Sequence, residues 1–436
     1  MKRISIVLSK FLCILAVSVL SAIILMIIVY LIPVNGIMKS HASTICDNYH
    51  NEGTYPYRVG DLISTREDNF TDSTMILTAI NNNNVGLINK AIMNYNLTSP
   101  DSKLGREESL VGVCEGADSN YVETQYGRYW HGYLVWLKLL LFLFPASTVQ
   151  LIIGFLNLFL LVFVCAQIKE KVGNMDMIIL FISLMIINPL VIGLSFQLSS
   201  IYIITMVSLL ILCNKNGWII AGDNFIFFFE GIGIAVAFFD LLTYPLTSWG
   251  IPVAIMLILN KKKEINSVRI TLVSFVSWMM GYALMWICKW ITADVFCNSG
   301  MIKEAIGQLF LRSSHSNQMT GQRLSVLKTW YNNICAIFKW PYILLFLCFV
   351  VILIIERSRY DKRERLENNG YVQIIISFII IAIMPFAWMA FTVNHSYIHC
   401  FFVYRILSVT VFAALYLIYI SSDCIVNVQK RIRNKS

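Results

Sequence analysis

The run "YLVWLKLLLFLFPAS", Tyr133 to Ser147, is the stretch on which the threading of the whole chain turns. It is apolar enough for a membrane, yet it carries Lys138 and is broken by Pro145. A spanning helix needs about 20 apolar residues, and an internal proline breaks one. If this run crossed the membrane, Lys169 and Lys171 beyond the next apolar segment would fall outside, against the positive-inside rule. The sequence therefore predicts an amphipathic helix at the outer interface, within residues 131–149. Lys138 would snorkel there and Trp136 would sit at headgroup level. The following helix, at about 150–166, then runs inward.

Working outward, the apolar stretch Phe11 to Pro33 follows Lys2, Arg3 and Lys10. It is too long for the core of a signal peptide and reads as a retained first helix. Downstream, apolar runs at about 176–193, 199–213, 220–239, 243–260, 267–290, 339–355, 371–391 and 402–420 bring the expected total to about ten transmembrane helices. In this register every basic cluster lies inside: Lys169/Lys171, Lys215, Lys261 to Lys263, residues 356–365, and Lys430, Arg431 and Arg433. The expectation is one all-α, polytopic domain over residues 1–436 in the cell membrane, with both termini cytoplasmic. Two large outer loops follow, 34–149 with interfacial helices and 291–338. All six histidines, His41, His50, His131, His315, His395 and His399, fall on the outer side.

Composition agrees. Of 436 residues, 57% are hydrophobic and 14% charged, and the mean hydropathy is +0.68. Soluble domains average roughly 45–50% apolar and about 25% charged, so a soluble protein is excluded. The net charge of +9 does not indicate nucleic acid, because the basic residues sit in short clusters at helix borders. Cys46 and Cys114 fall in the first outer loop, and Cys297 and Cys335 in the second. In an oxidising compartment each loop offers one disulfide or two separate thiols.

Four outer stretches bear chemistry. "REDNFTDSTMIL", Arg66 to Leu77, sets Asp68 and Asp72 four residues apart, on one face of a helix. Carboxylates there suit a general base or a divalent metal such as Mg or Mn, and equally a capped helix start. No motif demands a cofactor. "YGRYWHGYLVWLK", Tyr126 to Lys138, places Arg128 and His131 among aromatic rings. Such a group can stack on a sugar and pair with phosphate, or form an interfacial belt. "FFDLLTYPLTSWGIP", Phe238 to Pro252, puts Asp240 at the rim of two apolar helices, where a carboxylate must be paired or functional. "NHSYIHCFFVYR", Asn394 to Arg405, sets His395 and His399 four apart, with Arg405 inside the membrane edge. Arg405 needs an anion there, either a lipid phosphate or Asp240 or Glu230. Arg312, Arg323 and Lys328 add positive charge to the second outer loop.

With "EDNFTDS", "YWHGYLVWL" and "HSYIHCFFVYR" in this order, the layout resembles the GT-C superfamily of membrane glycosyltransferases. The resemblance implies a polyprenyl-phosphate sugar donor, an inverting transfer, and an acidic residue of the first outer loop as base. Asp72 maps to that role, with Asp68 as its rival. Arg405, His395 and Arg128 would hold the donor phosphate. The chain lacks the WWD-type motif and large soluble C-terminal domain of oligosaccharyltransferases. It also lacks the Asp-Glu pair of protein mannosyltransferases. A cell-surface glycan or lipid-linked acceptor is thus expected instead of a protein. Two other readings remain: a polysaccharide polymerase or ligase, and a transporter or flippase with Glu230 on its path.

Overall fold

The computed structural model describes residues 2–433 apart from 102–103, 118–119, 318–319 and 360–367. Most of the basic stretch 356–365, and the side chains of Lys2, Arg3, Lys430, Arg431 and Arg433, lie outside the description. Long unbroken Leu/Ile/Val/Phe runs fold as helices because hydrocarbon offers no partner to a free backbone N–H or C=O. Helix α1 (Lys2–Leu31) comes first. The stretch after it folds as α2 (Gly36–Ser43), α3 (Cys46–Glu52), α4 (Asn69–Ile80), α5 (Leu87–Met93) and α6 (Arg106–Cys114), with an antiparallel ribbon of β1 (Asn96–Thr98) and β2 (Val122–Thr124).

After α7 (Leu134–Leu143) come α8 (Ala146–Lys171), α9 (Asn174–Ile187), α10 (Pro189–Ile192), α11 (Phe196–Ile220), α12 (Phe225–Phe239), α13 (Thr247–Leu259) and α14 (Ser267–Cys297). The segment after α14 supplies α15 (Met301–Ser313) and α16 (Val326–Ile337). The chain ends with α17 (Trp340–Arg359), α18 (Asn368–Phe391), α19 (Val393–Ile398), α20 (Cys400–Val403) and α21 (Leu407–Arg433).

Among the described residues six helices are long and apolar enough to cross a membrane, or seven if α16 and α17, bent by 71° at their junction, count as one span. Their outward faces are apolar: Phe155, Phe159 and Val162 on α8, Val276 and Val295 on α14, and Ile383 on α18 are all exposed. Water would not tolerate so continuous an apolar surface. The chain is an all-α, multi-pass membrane protein.

Three expected spans are shorter than the ten-helix reading requires. Helices α9, α12 and α13 have 14, 15 and 13 residues. At about 1.5 Å per residue each covers about 20 Å, against about 30 Å of hydrocarbon. Local chemistry sets these ends. Asn188, left-handed and followed by Pro189, stops α9, and the turn at Asp240 stops α12.

The predicted break at Pro145 is present, with α7 ending at Leu143 and α8 starting at Ala146. Lys138, however, does not snorkel. It is buried, with Nζ 4.8 Å from the centre of the Tyr30 ring on α1. The exposed side of α7 is Leu139, Phe142 and Leu143, so the lysine turns toward an aromatic face instead.

Helices α12 and α14 meet backbone to backbone. A Cβ on Gly233 would lie 2.1 Å from the Trp278 carbonyl oxygen, and one on Gly281 would lie 2.4 Å from that of Glu230. Only glycine allows that approach.

Candidate functional site

The second and third motifs build one wall of a cleft. His131 adopts a left-handed backbone, φ 57°, in which non-glycine residues are strained. Its ring is clamped at both nitrogens, with Nε2 2.7 Å from the Tyr126 carbonyl and Nδ1 2.8 Å from the Tyr133 hydroxyl. A carbonyl only accepts, so Nε2 carries the hydrogen and Nδ1 accepts from Tyr133. Burial keeps this ring neutral, its pKa pushed down to about 3. His131 is thus a pin that shapes the Tyr126–Tyr129 loop. That loop presents Arg128, whose guanidinium lies over the rings of Tyr126 and Tyr129.

The turn after α12 is pinned in a similar way. Asp240 accepts from the Thr243 amide and hydroxyl at 2.9 and 2.5 Å, and burial pushes its carboxyl up to about 6. Leu242 has φ 67°, and its carbonyl accepts from His395 Nε2 at 3.0 Å. His395 and His399 face each other as their spacing predicts, ring centres 4.8 Å apart. Burial, aided by His399 and Arg312, holds His395 neutral. Burial and Arg312 push His399 down to about 4.

Between α14, α18 and α15 lies a cavity of about 500 Å³. An aromatic ladder on α14, Tyr282, Trp286 and Trp290, forms one side, and Trp388 of α18 faces it. Arg128 and Arg312 border it. Arg312 donates to the Tyr129 hydroxyl at 2.5 Å and lies over that ring, so Tyr129 touches both guanidinium groups. Arg128 pairs with Glu304 of α15, while Arg312 has no carboxylate partner among the described residues. Three buried donors here, Tyr282 Oη, Trp286 Nε1 and Arg128 Nε, have no acceptor among the described residues. The arrangement combines an apolar slot with an excess of donors and positive charge.

The expected residues divide between two places. Arg128 lines this cavity, His395 reaches it through the Leu242 carbonyl with His399 at its side, and His131 and Asp240 pin the loop and the turn that carry Arg128 and Leu242. Arg405 does not line it. Fully buried, Arg405 donates to the carbonyls of Ile187, Phe401 and Ser64 at 3.0, 2.6 and 3.4 Å. Ile187 closes α9, so the cation answers the negative end of a helix and pairs with neither Asp240 nor Glu230. Asp72 is also engaged. It accepts from the Phe196 and Gln197 amides at 3.0 and 2.9 Å and from Ser195 at 3.3 Å, which caps α11. Burial pushes it up to about 8 against the pull of those donors.

Asp68 caps α4 through the Thr71 amide and hydroxyl, and burial raises it to about 6. Arg66, which acts electrostatically on Asp68, lies over Phe401 at 4.8 Å, and Phe401 touches His399. Among the described residues no three His, Cys, Asp or Glu side chains converge as metal ligands. In the acidic stretch Asp68 and Asp72 cap helices and Glu67 pairs with Arg58.

Cys46 and Cys114 lie thiol to thiol. Cys335 instead hydrogen-bonds Tyr331, and Cys297 packs beside Ile92, Met93 and Met301. The residues sequence reasoning undervalued are Arg312, seen only as one loop cation of three, and the α14 ladder. The signal for the ladder was the four-residue spacing of Trp278, Tyr282, Trp286 and Trp290. No protein-family model, no curated protein and no solved structure matches the chain.

Proposed function

We propose that the chain is a membrane glycosyltransferase that takes its sugar from a lipid-phosphate carrier and passes it to a cell-surface glycan or lipid-linked acceptor. One observation carries this reading. Arg312, without a carboxylate partner among the described residues, stands at an apolar, aromatic cavity bounded by two helices long enough to span the membrane. A half-buried cation in that setting calls for an anion attached to hydrocarbon. The ladder and Trp388 accept the hydrocarbon or stack on the sugar, and Arg312 and Arg128 offset charge that builds on the departing phosphate.

Of the two carboxylates, Asp68 takes the part of base. Its raised pKa supports proton transfer near neutrality, and Arg66, Phe401 and His399 link it to the cavity side. Asp72 holds α11 in place. In the same reading α9, α12 and α13 complete ten spans with α1, α8, α11, α14, α17, α18 and α21. Both termini are then cytoplasmic, and the arginines stand at the outer face. Glu230, fully buried on α12 with both carboxylate oxygens unpaired, does not line the cavity, which gives the transport reading little to build on.

The test is turnover of polyprenyl-phosphate sugars by purified protein, followed as release of lipid phosphate. Wild type should turn over. Arg312→Ala should lose about a hundredfold or more in kcat/KM while remaining folded. Wild type inert toward every phosphate-linked monosaccharide, yet active on lipid-linked oligosaccharides, would mark a polymerase or ligase instead.

A further inference from the structure

The second arginine at the cavity differs from the first in having a partner, and that pair is lopsided. The Arg128 side chain is 16% exposed, whereas Glu304 is 50% exposed. If the two separate, water takes up the glutamate at little cost, while a lone guanidinium over Tyr126 and Tyr129 stays poorly solvated. Arg128 Nε already lacks an acceptor among the described residues, as do Tyr282 Oη and Trp286 Nε1, and both of those residues are more than nine-tenths buried. Three donors with no acceptor call for a ligand rich in oxygen.

Glu304 stands in the first turn of α15, the helix that also carries Arg312. Helix α15 is anchored by the Asp294 carboxylate at its first amides, by buried Met301 and Ala305 and by Arg312 on Tyr129. The Glu304 pair is the further tie of its first turn to Arg128. Ile302, Ile306 and Phe310 on its outer side are exposed, and Asn298 and Gly300 at its root both have left-handed backbones.

We propose that Glu304 is an internal counter-ion, holding Arg128 until an anionic ligand replaces it, so that anion binding in the cavity and release of the first turn of α15 are one coupled event. This rests on the reading that the cavity takes a phosphate-bearing ligand. The ligand class is a phosphomonoester on a hydrocarbon chain. Its oxygens answer Arg128, Arg312 and the two ring donors, and its chain lies on the apolar wall. Replacement is a straight exchange, one anion leaving the guanidinium for water as another arrives.

The experiment uses the full chain in detergent, with decyl phosphate and inorganic phosphate as probes, titrated calorimetrically. The proteins are wild type, Glu304→Gln, Arg128→Gln and the double variant, and hydrogen exchange over residues 301–313 is read in parallel. Removing the competing carboxylate should tighten decyl phosphate binding by about fivefold. That gain should vanish in the Arg128→Gln background. Exchange over the first turn of α15, which carries Glu304, should rise when wild type is saturated, and should already be high in ligand-free Glu304→Gln.

A comparable gain with inorganic phosphate would support the exchange with the anion alone as ligand. A gain confined to decyl phosphate would support the lipid-linked form. Unchanged or weaker binding by Glu304→Gln, no binding by any protein, or unchanged exchange over the first turn of α15 would overturn it. The two readings fail separately. Turnover of lipid-phosphate sugars with no effect of Glu304→Gln rejects the counter-ion alone. The exchange pattern without any turnover rejects only the glycosyltransferase.

Discussion

A guanidinium inside a membrane bundle has to be answered, and Arg405 and Arg312 are answered differently. Three carbonyls satisfy Arg405, whereas Arg312 meets a tyrosine and a cavity. In the sequence Arg405 looked the more functional of the two. Its carbonyl partners, Ser64 and Ile187, are remote along the chain and signal nothing by residue type. The facing of His395 and His399 was legible, because four-residue spacing on a helix fixes it. The commitment of Asp72 to α11 was not, since its partners are mainly backbone amides.

The base assignment has a pH signature. Asp68 is raised by burial to about 6, so it is protonated and idle below that pH and competent above it. Activity should therefore climb through about pH 6, and Asp68→Asn should leave a low, flat profile. Thr71→Val removes a hydroxyl that stabilises the ionised form, so the climb should move to higher pH. A limb that stays in place in Thr71→Val would take the base role away from Asp68.

Among elements, long spans were legible because hydropathy alone defines them, and the break between α7 and α8 was legible from Pro145. The direction of Lys138 was not, because it depends on Tyr30 of another helix. Helices α3 and α6 bring Cys46 and Cys114 together. In an oxidising compartment they should form a disulfide, and its loss should cost about 4 kcal/mol. Thiol labelling with mass analysis, with and without reductant, reads this directly. Labelling of both thiols without reductant would rule the bond out. The α12–α14 contact should be equally exacting. Gly281→Val should destabilise the bundle by about 1–3 kcal/mol, seen as a lower Tm in detergent, while Gly231→Val, with open space at its Cβ, should be far milder.

For the whole molecule, the register of basic clusters carries the orientation. A fluorescent protein fused after Ser436 should be bright in cells, and alkaline phosphatase fused there should be inactive. The reverse pattern would invert the topology and put the arginines at the wrong face. The number of spans was less legible than their existence, because α9, α12 and α13 end early at Asn188, Asp240 and Asn260. The close approach of α12 and α14, at Gly233 against Trp278 and Gly281 against Glu230, has a consequence for selectivity. It welds α14, and with it the ladder, to the interior of the bundle, so the cavity works like a vice with one fixed jaw. Accommodation must come from α15 and α18 alone. Ligands that differ in length can be gripped alike, whereas ligands too thick for the gap in front of the tryptophans are refused.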